Sequence, residues 1–417
     1  MSAPGGDTED GTSRAASSTT AGDRRVRDVQ RQARPTLLLA TGFALVAALF
    51  AALPHDTGAW LPLHLFLVGS LLLAISGASQ LFAVTWSAGD APGGRAVMTQ
   101  RVLLSAGAAG VAAGRELAWP DALTGVAATA VVAALALLGV ILVRIVASGR
   151  NRRFDAPVGS YVIALVAGIV GCVMGAALAA GPRSTGFRAA HETVNLLGLI
   201  GIVIAATLPF FVATEARTKM SPRADQRAQR LLGALLGVAV FVAGAGLAAD
   251  ARVVAALGLG AYALGLVAIV GLLPHLRRKQ FRWAGPRLVG LLAGVGWWMG
   301  AVVVGAVHAL RGHETFSDAV LLALVVGGYV QILLSSLAYL GPVLRGGGHL
   351  ALSSGFRLTR SWITLVAVNT AAVLLVAGFR TAGTVALCVA ATDTAVRAVM
   401  LRVNGSVIPR DPTGATP

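Results

Sequence analysis

Seven histidines are the side chains of this chain best suited to site chemistry. A neutral imidazole is a good ligand for haem iron or copper. His55, His64, His191, His308 and His313 flank apolar runs on one side, whereas His275 and His349 fall on the other. His64, His191 and His308 stand at run ends where they would share one shallow layer, and a ligating imidazole there needs partners that hold it rigidly. Asn195 lies four residues after His191 and therefore shares its helical face. His64 and His191 are the expected metal ligands, with Asn195 and His308 as further cofactor-binding positions. The structural alternative is an interfacial histidine that binds nothing, since membrane interfaces tolerate this side chain. No H-x-x-x-H or H-E-x-x-H spacing occurs, so a zinc hydrolase is unsupported and no catalytic set emerges.

The deep polar positions form a second group. Gln331 and Tyr339 fall within one apolar run, and a buried amide in lipid must find a partner, so interhelical hydrogen bonding is expected. Asp393 is the acid placed well inside a run, and Arg397 follows one turn later. That spacing predicts an i,i+4 ion pair, with a proton or cation site as the sharper reading. Cys172 and Cys388 both lie inside apolar runs, which excludes a disulfide framework, a zinc ribbon and a redox C-x-x-C. The Gly346-Gly347-Gly348 turn lacks the strand, Lys and Ser/Thr of a phosphate-binding loop.

The elements that must position these residues are long and apolar. Twelve runs are expected at 36–53, 61–85, 97–114, 122–143, 158–180, 190–213, 231–249, 253–274, 288–308, 318–343, 361–379 and 382–401. Each approaches the length needed to cross about 30 Å of hydrocarbon as a helix. A hydrophobic content of 56%, a charged content of 12% and a mean hydropathy of +0.76 exclude an ordinary soluble globule. The net charge of +16 is concentrated in the tails and every second loop. Only Arg115, Arg183, Arg188, Arg252, Arg311 and Arg380 fall on the other side. This asymmetry predicts cytoplasmic N- and C-termini in a bacterial plasma membrane, with the lipid bilayer as the partner of the basic loops. No basic stripe interleaved with aromatics occurs, which argues against nucleic acid. The domain plan is a disordered basic tail over 1–34, a transmembrane domain over 35–402 and a short tail over 403–417.

Runs two, six and ten open near His64, His191 and Asp318, which are spaced 127 residues apart. Each carries glycines shortly after its first polar residue. The expected fold class is therefore an all-α polytopic membrane protein built as three pseudo-symmetric four-helix units.

Three stretches carry a family resemblance: His64–Gly69 with Ser79–Ala83, His191–Gly201 with Arg217–Met220, and Gln331–Pro342 with Gly346–Gly348. They resemble NnrS-type membrane proteins, divergent relatives of haem–copper oxidase subunit I, and the membrane region attached to some actinobacterial copper nitrite reductases. The resemblance implies haem or copper binding, a redox partner protein and a link to nitrogen-oxide or redox metabolism. It covers three runs of twelve. Departures matter: runs seven, eight and ten contain no internal histidine, and Leu81 stands where the family places a second histidine in run two. Oxygen reduction coupled to proton pumping is accordingly not expected. Two other classes fit the same runs: a small-solute transporter, and a non-catalytic membrane scaffold or partner subunit with degenerate sites.

Overall fold

The computed structural model describes residues 9–53, 58–153, 155–181, 184–346 and 348–407. Among them are twelve helices long and apolar enough to cross a membrane. Spans 1 to 4 are Arg24–Ala52, Trp60–Ser87, Gly94–Glu116 and Asp121–Ala147. Spans 5 to 8 are Asp155–Ala179, Thr185–Glu215, Gln226–Ala248 and Arg252–Gly271. Spans 9 to 12 are Pro286–Arg311, Asp318–Arg345, Leu350–Val376 and Arg380–Val403. The chain is an all-α, multi-pass integral membrane protein.

The span ends sort onto two sides. On the basic side, Arg25 donates to the Ala88 carbonyl, Gln32 to that of Pro92 and Arg34 to that of Leu344. On the opposite side, Arg188 pairs with Glu314 and Arg115 covers the Trp60 ring.

One expectation needs correction. The first helix begins at Glu9 rather than near 36, so much of the tail expected to lack structure is helical. Its reason is tertiary: Val29 and Ala33 are buried, and the hydrogen bonds of Arg25 and Gln32 tie this turn to the loop after span 2. The expected run at 361–379 is one helix, and a separate short helix precedes it. Gly348–Leu358 and Trp362–Val376 are separate, and Ser361 caps the second by accepting from the Thr364 amide at 3.0 Å. Residues 408–417, most of the expected C-terminal tail, lie outside the described residues.

The threefold repeat is written in the backbone. Spans 2, 6 and 10 each contain one π-helical stretch, Leu65–Leu71, Val194–Gly201 and Ala323–Val330, whose starts are 129 residues apart. A π turn holds an extra residue and leaves carbonyls poorly aligned for the helix's own amides. In span 6 two of these carbonyls accept from outside: Leu197 from the Tyr262 hydroxyl at 2.8 Å and Leu196 from that of Tyr329 at 2.7 Å. A glycine occupies the same place in each turn, Gly69, Gly198 and Gly327, because the preceding span crosses there. A Cβ would strike Phe43 of span 1, Ala167 of span 5 and Trp297 of span 9 respectively.

Spans 2, 6 and 10 are the most buried of the twelve, at 67%, 78% and 61% of their apolar windows. They surround a small central cavity of about 90 Å³, which Leu37, Tyr161 and Leu291 of spans 1, 5 and 9 also line. The spans therefore form three like units around a common axis. The repeat spacing is 129 rather than 127, so His64 corresponds to Thr193, and His191 sits two residues, about 3 Å, earlier in its own unit.

Candidate functional site

His64 and His191 are half-buried at the ends of spans 2 and 6 that face away from the basic side. His64 Nδ1 lies 2.9 Å from the Trp60 carbonyl, and its ring stacks on Trp60 at 3.9 Å. The Arg115 guanidinium covers the other part of this stack, 4.5 Å from the Trp60 ring. His191 is seated in a groove of small residues on span 5. Its Nδ1 is 2.9 Å from the Gly171 carbonyl, and a Cβ on Gly175 would lie 2.9 Å from its ring.

A carbonyl accepts, so both rings must carry hydrogen on Nδ1. That leaves the Nε2 lone pair of each for another group, the arrangement that orients metal-bound imidazoles. Asn195 shares the His191 face as expected. Its Nδ2 donates to the His191 carbonyl at 2.9 Å, and the Nδ1 of that ring, already protonated, cannot accept from it.

His308 joins this layer indirectly. Its Nδ1 is 3.1 Å from the Glu314 carbonyl, and the Glu314 carboxylate pairs with Arg188, one turn before His191. His313 is exposed and meets His308 edge to face at 5.9 Å. His275 is exposed on the basic side. His55 and the His349 side chain lie outside the described residues. Among the described residues no three His, Cys, Asp or Glu side chains gather tightly enough to hold a metal ion.

Of the other predicted residues, Gln331 and Arg397 meet elsewhere, in the basic half of the membrane. A cavity of about 450 Å³ opens between spans 1 and 9 to 12, with Gln331, Ser335, Arg287, Arg345 and Arg397 in its wall. Gln331 is 2% exposed, and neither end of its amide has a hydrogen-bond partner. The interhelical bond expected for it is absent among the described residues. Asp393 and Arg397 form the expected ion pair at 3.0 Å. Ser361 and Thr364 also donate to Asp393, and Arg397 donates to the Leu358 carbonyl at 2.9 Å. The pair therefore ties span 12 to the broken start of span 11.

Tyr339 stands beside a group that sequence reasoning missed. Arg287 and Glu215 lie 3.8 Å apart with side chains 2% and 0% exposed, at the basic ends of spans 9 and 6. Arg287 also faces the rings of Phe356 and Tyr339, at 4.6 and 5.8 Å. Its Nη1 and both carboxylate oxygens of Glu215 have no hydrogen-bond partner. The available signal was Glu215 at the end of an otherwise apolar run, but its partner is 72 residues away and only the packing brings the two together. No protein-family model matches this chain, and no curated protein matches it.

Proposed function

We propose that this integral membrane protein holds haem or copper between His64 and His191 and serves redox metabolism, with nitrogen oxides as the class of substrate. One observation carries the reading: two imidazoles on inner helices of adjacent units, each with Nδ1 committed to a backbone carbonyl and Nε2 left to bind. The resemblance to NnrS-type proteins supports the same group, and bound haem or copper would supply one-electron chemistry. The chain's own contribution is to fix the two rings through Trp60 and the Gly171–Gly175 groove. Also part of the proposal are a bacterial plasma membrane, cytoplasmic termini and a redox partner protein. The charge asymmetry supports that orientation.

The absorbance spectrum and metal content of the purified protein test this. A Soret band or stoichiometric copper is expected, lost in His64→Ala and in His191→Ala and kept in His275→Ala. A protein without either group, or one whose group survives both substitutions, overturns the reading. A reporter active only outside the cell, fused after Arg410, should stay silent.

Small-solute transport is the second reading. It is favoured by a cleft of about 780 Å³ between spans 1 and 12, on the same join as the basic-half cavity. Uptake assays in proteoliposomes address it directly.

A further inference from the structure

The basic-half cavity has a counterpart in the second unit. Pro286, Gln331, Leu334, Ser335 and Ala338 line the cavity of unit three. The residues 129 positions earlier, Pro157, Ile202, Ala205, Ala206 and Pro209, line a cavity of about 10 Å³ in unit two. The fold thus makes the same recess twice, and the sequence closes one and leaves the other open.

The closed recess is satisfied within itself. Gln229 donates to the Ala224 carbonyl at 2.7 Å, and Ser160 to that of Ala156 at 3.2 Å. In the open recess Gln331 offers an unused donor and an unused acceptor, and Arg287 offers an unused Nη1. Both side chains are at least nine-tenths buried, at 2% and 3% exposed. A buried polar group left alone is costly, so these atoms point to a partner that the chain does not provide.

The chemistry of that partner follows from the walls. Arg34, Arg287, Arg345, Arg397 and Arg402 line the cavity, and among the described residues only Arg287 and Arg397 have a carboxylate partner. Arg34 and Arg345 instead cap backbone carbonyls of Leu344, Leu401 and Ala351, which uses their donors but leaves their charge. The field inside therefore favours an anion. The rest of the wall is apolar: Leu37, Leu38, Leu334, Leu337, Leu365 and Val368. From Gln331 to Arg345 the recess follows fifteen residues of helix, about 21 Å from end to end. A volume of about 450 Å³ is that of a small-molecule site.

We propose that this cavity binds an amphiphile with one hydrocarbon chain and an anionic phosphate or carboxylate head. The head meets Arg287 and Gln331, and the chain lies along the leucines of spans 1 and 10. A phosphate monoester that retains one P–O–H serves both ends of the Gln331 amide, as a donor and as an acceptor. The site is independent of any metal at His64 and His191.

The test uses the full-length protein in a non-ionic detergent, with retained ligand read by native mass spectrometry. The probes are dodecyl phosphate, dodecanoate, dodecanol and inorganic phosphate. The expected result is that one or both dodecyl anions are retained one per protomer, that dodecanol is not, and that inorganic phosphate alone is not. Gln331→Leu should weaken retention by about tenfold, the loss of one charge-assisted hydrogen bond. Because Arg287→Gln alone strands Glu215, the double variant Glu215→Gln with Arg287→Gln is the second arm, and it should lose the anion while keeping its melting temperature. Equal retention of dodecanol overturns the anionic head. Retention of inorganic phosphate at the level of the dodecyl anions overturns the chain. Wild-type retention in both variants overturns the site.

Discussion

Units two and three are built from the same four-helix plan, yet they treat one recess in opposite ways. In unit two, Ile202 and Ala206 fill it, and about 10 Å³ remains. In unit three, Gln331 and Ser335 hold those positions, and about 450 Å³ is open. The joins between units differ in the same sense. Span 4 packs along span 5 and span 8 along span 9, whereas span 12 touches span 1 at few points. Only 6% of the apolar window of span 12 is buried, against 33% for span 4 and 39% for span 8. The hairpins follow suit: Gly107, Gly110 and Gly114 set span 3 closely against span 4, and Gly246 and Gly258 do so for spans 7 and 8. In spans 11 and 12, Gly383 against Leu375 is the comparable contact. Where lipid gives no hydrophobic drive for association, small residues and satisfied polar groups decide whether helices close. Unit three has fewer of the first and places Arg and Gln where its sibling has Val158 and Ile202.

The largest effect that would sharpen this comparison comes from the buried ion pair at the edge of the open recess. Glu215→Ala leaves Arg287 buried without its partner and should cost about 3–5 kcal/mol. Replacing both by apolar residues of similar size should be close to neutral or stabilising. Denaturant unfolding of the detergent-solubilised protein checks both, and a single variant as stable as wild type would show that the pair is hydrated.

Exchanging the recess residues comes next. Ile202→Gln buries an amide in the closed recess and should cost about 1–3 kcal/mol. Gln331→Ile removes an unpartnered amide from the open one and should be neutral or raise the melting temperature. If the two changes have the same sign and size, the recesses are not counterparts.

Volume is the third probe. Ala205→Leu gives unit two the residue of unit three at Leu334, and overpacking there should cost about 1–3 kcal/mol. Leu334→Phe, directed into the open recess, should cost under about 1 kcal/mol. Equal losses in thermal unfolding would mean that the larger recess collapses in the membrane.

The smallest effect is expected at the outer rim of unit three, where spans 10 and 12 open. Arg380 and Asp318 pair at 3.3 Å with side chains 81% and 84% exposed. Exposed pairs contribute little, so Arg380→Ala should leave the melting temperature unchanged. A clear drop would mean that this rim is covered and that span 12 is held more firmly than its burial indicates.

Much of the fold was legible along the chain. Run length and hydropathy set the number of spans, and local spacing set the Asp393–Arg397 pair and the shared face of His191 and Asn195, because these depend on helix geometry alone. The recurrence of spans two, six and ten was visible too, but its spacing was read two residues short. Histidines were aligned with each other, while the true register is carried by π turns and by Gly69, Gly198 and Gly327, whose role depends on the span that crosses them. The helical extension back to Glu9 was hidden for the same reason, since polar composition conceals a helix whose partners are distant loops. Tertiary structure alone decided that Glu215 meets Arg287, that Gln331 finds no partner, and that one recess stays open while its counterpart closes. Each is a matter of which side chains face one another across helices far apart in sequence, and hydropathy measured along a single helix carries no record of what lies across the gap.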